Sequence, residues 1–246
     1  MKFAVVSLKN TQRIVEALEI FGHDIDNNKP DFVITYGGDG TVLYAERKYP
    51  GIPKITVRAG SVGFKCRYSI EELEDVLIKI DSGEYKLKEE IKLETNFQGR
   101  KYLSLNEVQL HNSSPIKAVR SSVYVNGHIL FDNIIGDGIV VSTPFGSTAY
   151  FSSVGGKKFD NGIGIALNNP YKYDNYAAIS SFDFVSELGS RYIIVDLNSE
   201  IFIDILRDDG LLLFDNDDKI IKVKCGDEIL IKRAKDTAKF VVTEKS

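Results

Sequence analysis

Residues 32–57 read FVITYGGDGTVLYAERKYPGIPKITV: an apolar run, an acid set among glycines, a stretch of helical character, and a second apolar run. The periodicity predicts a short buried strand over 32–35, a helix over 42–49 and another strand over 53–57. Strands separated by helices imply a parallel sheet with both faces covered. N-terminal to this stretch, residues 3–6 form another apolar strand run, and a helix from about residue 11 puts Ile14, Val15, Leu18 and Phe21 on one face. On the other side, Ser69-x-x-Glu72 is a capping box, opening a helix with Ile70, Leu73, Val76, Leu77 and Ile80 on one stripe.

From about residue 84 the texture changes to short β-rich runs at 102–110, 119–125, 139–142, 163–167, 192–195, 201–205 and 220–224. Asn126-Gly127 is a strong hairpin turn. The expected fold is therefore α/β plus all-β: an N-terminal α/β lobe with a parallel sheet over 1–82, carrying the GGDGT turn, and a β-rich lobe over 83–246. No Pro- or Ser-rich linker separates the lobes, so a shared interface is expected, a preferred location for a small-molecule site.

The chain has 246 residues, 43% hydrophobic and 27% charged, enough for a proper core. A net charge of −4 without a long basic run argues against nucleic acid or an anionic membrane as main partner. The N-terminus MKFAVVSLKN carries neither a cleavable signal nor a membrane span, so a cytoplasmic location is expected. Cys66 and Cys225 lie far apart without CxxC spacing, which favours buried free thiols over a disulfide framework or a zinc site. None of His23, His111 and His128 belongs to a ligand cluster, so each is read as a surface or turn histidine.

Why should a buried strand end on Gly37-Gly38-Asp39-Gly40? Glycines at a strand end let a ligand approach the backbone, and amides at a following helix N-terminus can hold phosphate oxygens. A carboxylate there repels phosphate. It makes sense if Asp39 acts beside the phosphates, accepting a proton from an attacking hydroxyl or orienting a hydrated metal ion. The same cluster also suits a tight turn with Asp39 capping the next helix. There is no GxxxxGK[ST], and Gly38-Asp39-Gly40 lacks the third glycine of GxGxxG, so neither a P-loop enzyme nor a simple dinucleotide-binding domain is supported.

A second acid sits between glycines in GDGIVVSTPFGSTAY, residues 136–150. Ser142, Thr143, Ser147 and Thr148 packed around Pro144 and Gly146 suit a loop that hydrogen-bonds a polar ligand at close range. Together, GGDGT, the Asn106-Glu107 pair and GDGIVVSTPFGSTAY, in that order, resemble the NAD kinase family. GGDGT alone is shared with lipid kinases and is similar to a phosphofructokinase motif.

The resemblance implies transfer of the terminal phosphoryl group of ATP, another nucleoside triphosphate or polyphosphate to the 2′-hydroxyl of the adenosine ribose of NAD, giving NADP. It also implies Asp39 as catalytic base, with Gly38 and Gly40 letting the phosphates approach. Asn106 and Glu107 would bind the dinucleotide, Asp137 would reach its nicotinamide end, Thr148, Ala149 and Tyr150 would line the adenosine pocket, and Ser153 would lie at the far end of that loop. No metal-ligating residues are implied: Mg2+ would come with the donor phosphates. Assembly would be a homo-oligomer, commonly a tetramer.

The sequence departs from the family at Arg58, where Asn is usual, and at Phe145, which replaces a threonine. Two other readings stay open: a lipid or diacylglycerol-type kinase, which calls for an apolar acceptor surface, and a catalytically silent NAD(P)-binding sensor.

Overall fold

The computed structural model describes residues 1–60, 63–175 and 191–244. The chain divides into two compact units, Met1–Glu90 with Asp236–Ser246, and Ile91–Lys235.

The first unit contains β1 (Lys2–Ser7), α1 (Gln12–Ile20), β2 (Asp24–Ile25), β3 (Phe32–Gly37), α2 (Asp39–Lys48), β4 (Lys54–Arg58) and α3 (Leu73–Asp81). The strands pair in parallel in the order β2-β1-β3-β4. Phe32 to Thr35 are all buried, as expected for a strand covered on both faces. One face packs Phe3, Ile34, Ile55 and Val57 against Ile14, Ala17 and Leu18 of α1 and Leu73, Val76, Leu77 and Ile80 of α3. The other packs Ala4, Val6 and Val33 against Ala45 of α2 and Tyr49. The predicted capping box is half realised, the Glu72 carboxylate accepting the Ser69 N–H at 2.7 Å.

A buried ion pair closes the α2-to-β4 turn. Lys54 and Glu46 are 0% and 4% exposed, their side chains bonded to each other. Lys54 Nζ also donates to Tyr49 O at 2.7 Å, and the Gly51 N–H donates to Glu46 Oε1 at 3.2 Å. Charges this deep are tolerated only when paired and hydrogen-bonded.

The second unit is built from β5 (Lys86–Phe97), β6 (Arg100–Ser104), β7 (Glu107–Asn112), β8 (Val119–Val125), β9 (His128–Gly136), β10 (Gly138–Ser142), a 3-10 turn (Gly146–Thr148), the one-turn α4 (Tyr150–Ser153), β11 (Ile163–Asn168), β12 (Lys172–Asn175), β13 (Tyr192–Val195), β14 (Ile201–Arg207), β15 (Gly210–Phe214), β16 (Ile221–Val223) and β17 (Glu228–Val242). β5 begins, and β17 ends, in the first unit, where Phe240 pairs with Lys54. Two antiparallel arrays result, β12-β9-β8-β14-β17 and β13-β11-β10-β7-β15-β16. Their facing side chains, among them Val123, Phe131, Ile203 and Ile229 from one and Leu110, Ile139, Ile165 and Leu212 from the other, make one sandwich core.

Asn126 and Gly127 both take positive φ, 51° and 80°, in the hairpin between β8 and β9, as this dipeptide predicts. The run at 102–110 differs from expectation: it is two strands, interrupted at Leu105-Asn106. The backbone there turns its amides away from any ladder, toward a side chain.

Candidate functional site

In the first unit β2 lies on one side of β1 and β3 on the other, so the direction of strand addition reverses between β1 and β3. In open parallel sheets a ligand crevice lies outside the carboxyl ends of the strands at such a reversal. At that edge Ser7 aligns with Tyr36, and Gly37 with Arg58. Gly37 has no room for a side chain, because a Cβ there would collide with Thr41. Gly38 is extended, φ −110°, and is the N-cap of α2.

α2 starts at Asp39, three residues earlier than the periodicity suggests, so Asp39 is the first helical residue and not its N-cap. Instead Asp39 Oδ1 accepts the Lys65 N–H at 2.9 Å. Asp39 is thus an acidic residue in the first turn of a helix, the position where the helix dipole favours acidic side chains. Cys66 follows Lys65, and its thiol donates to Gly37 O at 3.4 Å. Burial, then the nearby Asp39 carboxylate, push that thiol up to about 11, while Arg58 opposes the shift. Arg58 itself is exposed at the sheet's carboxyl edge.

In the second unit the Asn106-Glu107 turn is fixed from two sides. Its carbonyls face the loop after β10: Thr143 N–H donates to Asn106 O at 2.9 Å, and Thr143 Oγ1 to Leu105 O at 2.6 Å. The Gly146 N–H donates to Thr143 Oγ1 at 3.0 Å, and a Cβ on Gly146 would collide with the Asn106 carbonyl. Its amides face Asp215: Leu105, Asn106 and Glu107 N–H groups reach that carboxylate at 2.9, 2.7 and 3.1 Å. Asn106 is only 4% exposed, and among the described residues its Oδ1 has no hydrogen-bond partner. A buried acceptor left open in this way is one that a bound ligand can satisfy.

A third polar group joins Asp137 to Tyr150. Asn112 Nδ2 and Asn169 Nδ2 donate to the two oxygens of Asp137 at 3.0 and 3.1 Å. His111 Nδ1 lies 2.8 Å from Asn112 Oδ1, and its Nε2 lies 3.4 Å from Asn168 Nδ2. Asn168 in turn donates to Tyr150 Oη at 3.2 Å. Gly138 has φ +148°, and a Cβ would collide with the Leu110 carbonyl, so glycine is required after Asp137.

Of the remaining loop residues, Thr148 is exposed at the end of the 3-10 turn, Ala149 is half-buried between that turn and α4, and Ser153 is exposed at the end of α4. Phe145 takes helical angles and the turn forms after it. Among the described residues no group of three or more His, Cys, Asp or Glu side chains gathers as a metal site, and no helix is long and apolar enough to cross a membrane. The sequence singles out neither Asp215 nor the asparagines Asn112, Asn168 and Asn169 for this site, and His111, expected to be a surface or turn histidine, stands between Asn112 and Asn168 instead.

Fold and site define an α/β protein with an antiparallel sandwich, the first carrying the glycine-flanked turn at Asp39 and the second the Asn106-Glu107 turn and the Asp137–Tyr150 group. The ATP-NAD kinase N-terminal domain model matches residues 6–85, and the ATP-NAD kinase C-terminal domain model residues 105–168. An NAD kinase of Thermoplasma volcanium is 32% identical over 92% of this chain and 78% of its own length. A bifunctional NADP phosphatase/NAD kinase of Methanococcus maripaludis is 34% identical over 85% of this chain, which spans 36% of that longer protein. A crystal structure of an NAD kinase from Archaeoglobus fulgidus in complex with ATP has the same fold, with a TM-score of 0.81 at 23% identity, covering 100% of this chain and 95% of that one. The chain belongs to the NAD kinase family.

Proposed function

We propose that this protein moves the terminal phosphoryl group of ATP to the 2′-hydroxyl of the adenosine ribose of NAD, making NADP. Asp39 takes the proton of that hydroxyl as its oxygen bonds to the γ-phosphorus; the bond from the γ-phosphorus to the bridging oxygen breaks, and ADP leaves. Asn106 and Glu107 bind the dinucleotide, Asp137 serves its nicotinamide end, and Thr148, Ala149 and Tyr150 line the adenosine pocket toward Ser153. Gly38 and Gly40 leave the donor phosphates room beside Asp39.

The observation that carries this reading is the buried Asn106 Oδ1, an acceptor with no protein partner among the described residues, in a turn of the family's own motif. An adenine or carboxamide amino group would satisfy it. Mg2+ would be held by the donor's phosphate oxygens, with no side-chain cluster for it among the described residues, and would supply neutralisation of their charge. By the same family membership, the protein is cytoplasmic and a homotetramer, the latter open to light scattering.

The test is incubation with NAD, Mg2+ and ATP, another nucleoside triphosphate or polyphosphate, with NADP read out by an NADP-specific dehydrogenase. NADP formation with at least one donor is expected. NAD binding without NADP from any donor would replace the kinase by a dinucleotide sensor, and phosphorylation of diacylglycerol in its place would make it a lipid kinase.

A further inference from the structure

Three consecutive backbone amides seldom converge on one carboxylate. Leu105, Asn106 and Glu107 all donate to Asp215, at 2.9, 2.7 and 3.1 Å, and the Asp215 N–H donates back to Glu107 O at 3.0 Å. Asp215 does this from the left-handed region, φ +50°, a conformation that persists in a non-glycine residue when its surroundings over-determine it. Phe214, just before it, stacks on Tyr102 of β6 at 4.6 Å with an interplanar angle of 8°. β15 also pairs with β7 from Gly210↔Asn112 to Phe214↔Val108, so the ladder delivers Asp215 to the gap between β6 and β7.

From this geometry we infer that Asp215 is a positioning residue for dinucleotide recognition: its carboxylate replaces the missing ladder partners of Leu105–Glu107 and so sets where the side chains of Asn106 and Glu107 stand. The inference rests on the proposed role of those two residues. The turn's carbonyls are held independently by Thr143, so loss of Asp215 frees one side of the turn and leaves the other in place. An ionised acceptor of three N–H groups also forms stronger hydrogen bonds than a neutral one.

The test compares Asp215→Asn, which keeps size and one acceptor, with Asp215→Ala. Expected is a fall in kcat/KM for NAD of about fivefold in the asparagine variant and at least about tenfold in the alanine variant, with the donor KM within about twofold. Asn106→Ala is expected to cost at least about tenfold in the wild-type background and less than about threefold in Asp215→Ala, because the two act as a unit. Amide hydrogen exchange at 105–107 in Asp215→Asn should quicken at least about tenfold.

Equal cost of Asn106→Ala in both backgrounds, unchanged exchange, or a lowered melting temperature with unchanged kcat/KM would each overturn the inference. Should the wild type neither bind NAD nor make NADP, the functional reading fails instead, and hydrogen exchange still reports whether Asp215 holds the turn.

Discussion

Cys66 places a thiol against the carbonyl of Gly37, one residue from the Asp39–Lys65 hydrogen bond. Its titration is raised from 9.0 to about 11, first by burial and then by Asp39, so at neutral pH it is the protonated thiol, the unreactive form. Cys225, by contrast, is exposed, a departure from the expectation that both thiols are buried. A thiol reagent should therefore modify one cysteine in the native protein at pH 7.5 and two after denaturation; fast modification of both in the native state would contradict this. Because the folded state favours the neutral thiol, Cys66 contributes its full share of stability below pH 9.0 and loses it as pH rises toward about 11. Cys66→Ala should flatten the alkaline decline of melting temperature over that window; an unchanged decline assigns it to other groups. At Asp137, held by Asn112 and Asn169 at 3.0 and 3.1 Å, replacement by alanine should weaken NAD binding about tenfold, the loss of one or two charge-assisted hydrogen bonds. Unchanged affinity in calorimetry would remove Asp137 from the site.

At the scale of elements, the Lys54–Glu46 pair joins α2 to the start of β4, on the side of the sheet away from the Gly37–Arg58 edge. Removing one partner of a buried pair leaves an uncompensated charge, so Lys54→Met should cost about 3–5 kcal/mol in chemical denaturation, with much of it restored by adding Glu46→Leu. A loss below about 1 kcal/mol, the range of exposed pairs, would mean that water reaches the pair. The elements themselves were largely legible in the sequence. The stripe Leu73, Val76, Leu77, Ile80 is buried at helical spacing, and Asn126-Gly127 closes its hairpin, because each signal is local. The split of 102–110 was not legible: Asn106 and Asp215 are 109 residues apart, and nothing near residue 106 announces that its amide bonds elsewhere. For the same reason His111 reads as a turn histidine, although the fold sets it between Asn112 and Asn168.

For the molecule as a whole, a parallel α/β unit and an antiparallel sandwich follow from two textures of sequence, strand–helix alternation and then short β runs. The chemistry assigned to it is less evenly spread. The sandwich supplies the Leu105–Glu107 turn, whose amides and carbonyls all have partners and to which recognition is assigned, whereas the α/β unit supplies Asp39 at a helix start among glycines, the proposed proton acceptor. Asp39→Asn separates these roles, since it keeps size and hydrogen bonding and removes the proposed base. The most direct measurement is kcat for NADP formation alongside NAD affinity in that variant. A fall in kcat of at least about 100-fold, in line with general-base contributions, with NAD binding within about threefold of wild type, is the predicted result. Turnover within a few-fold of wild type would contradict the assignment of Asp39 as the base.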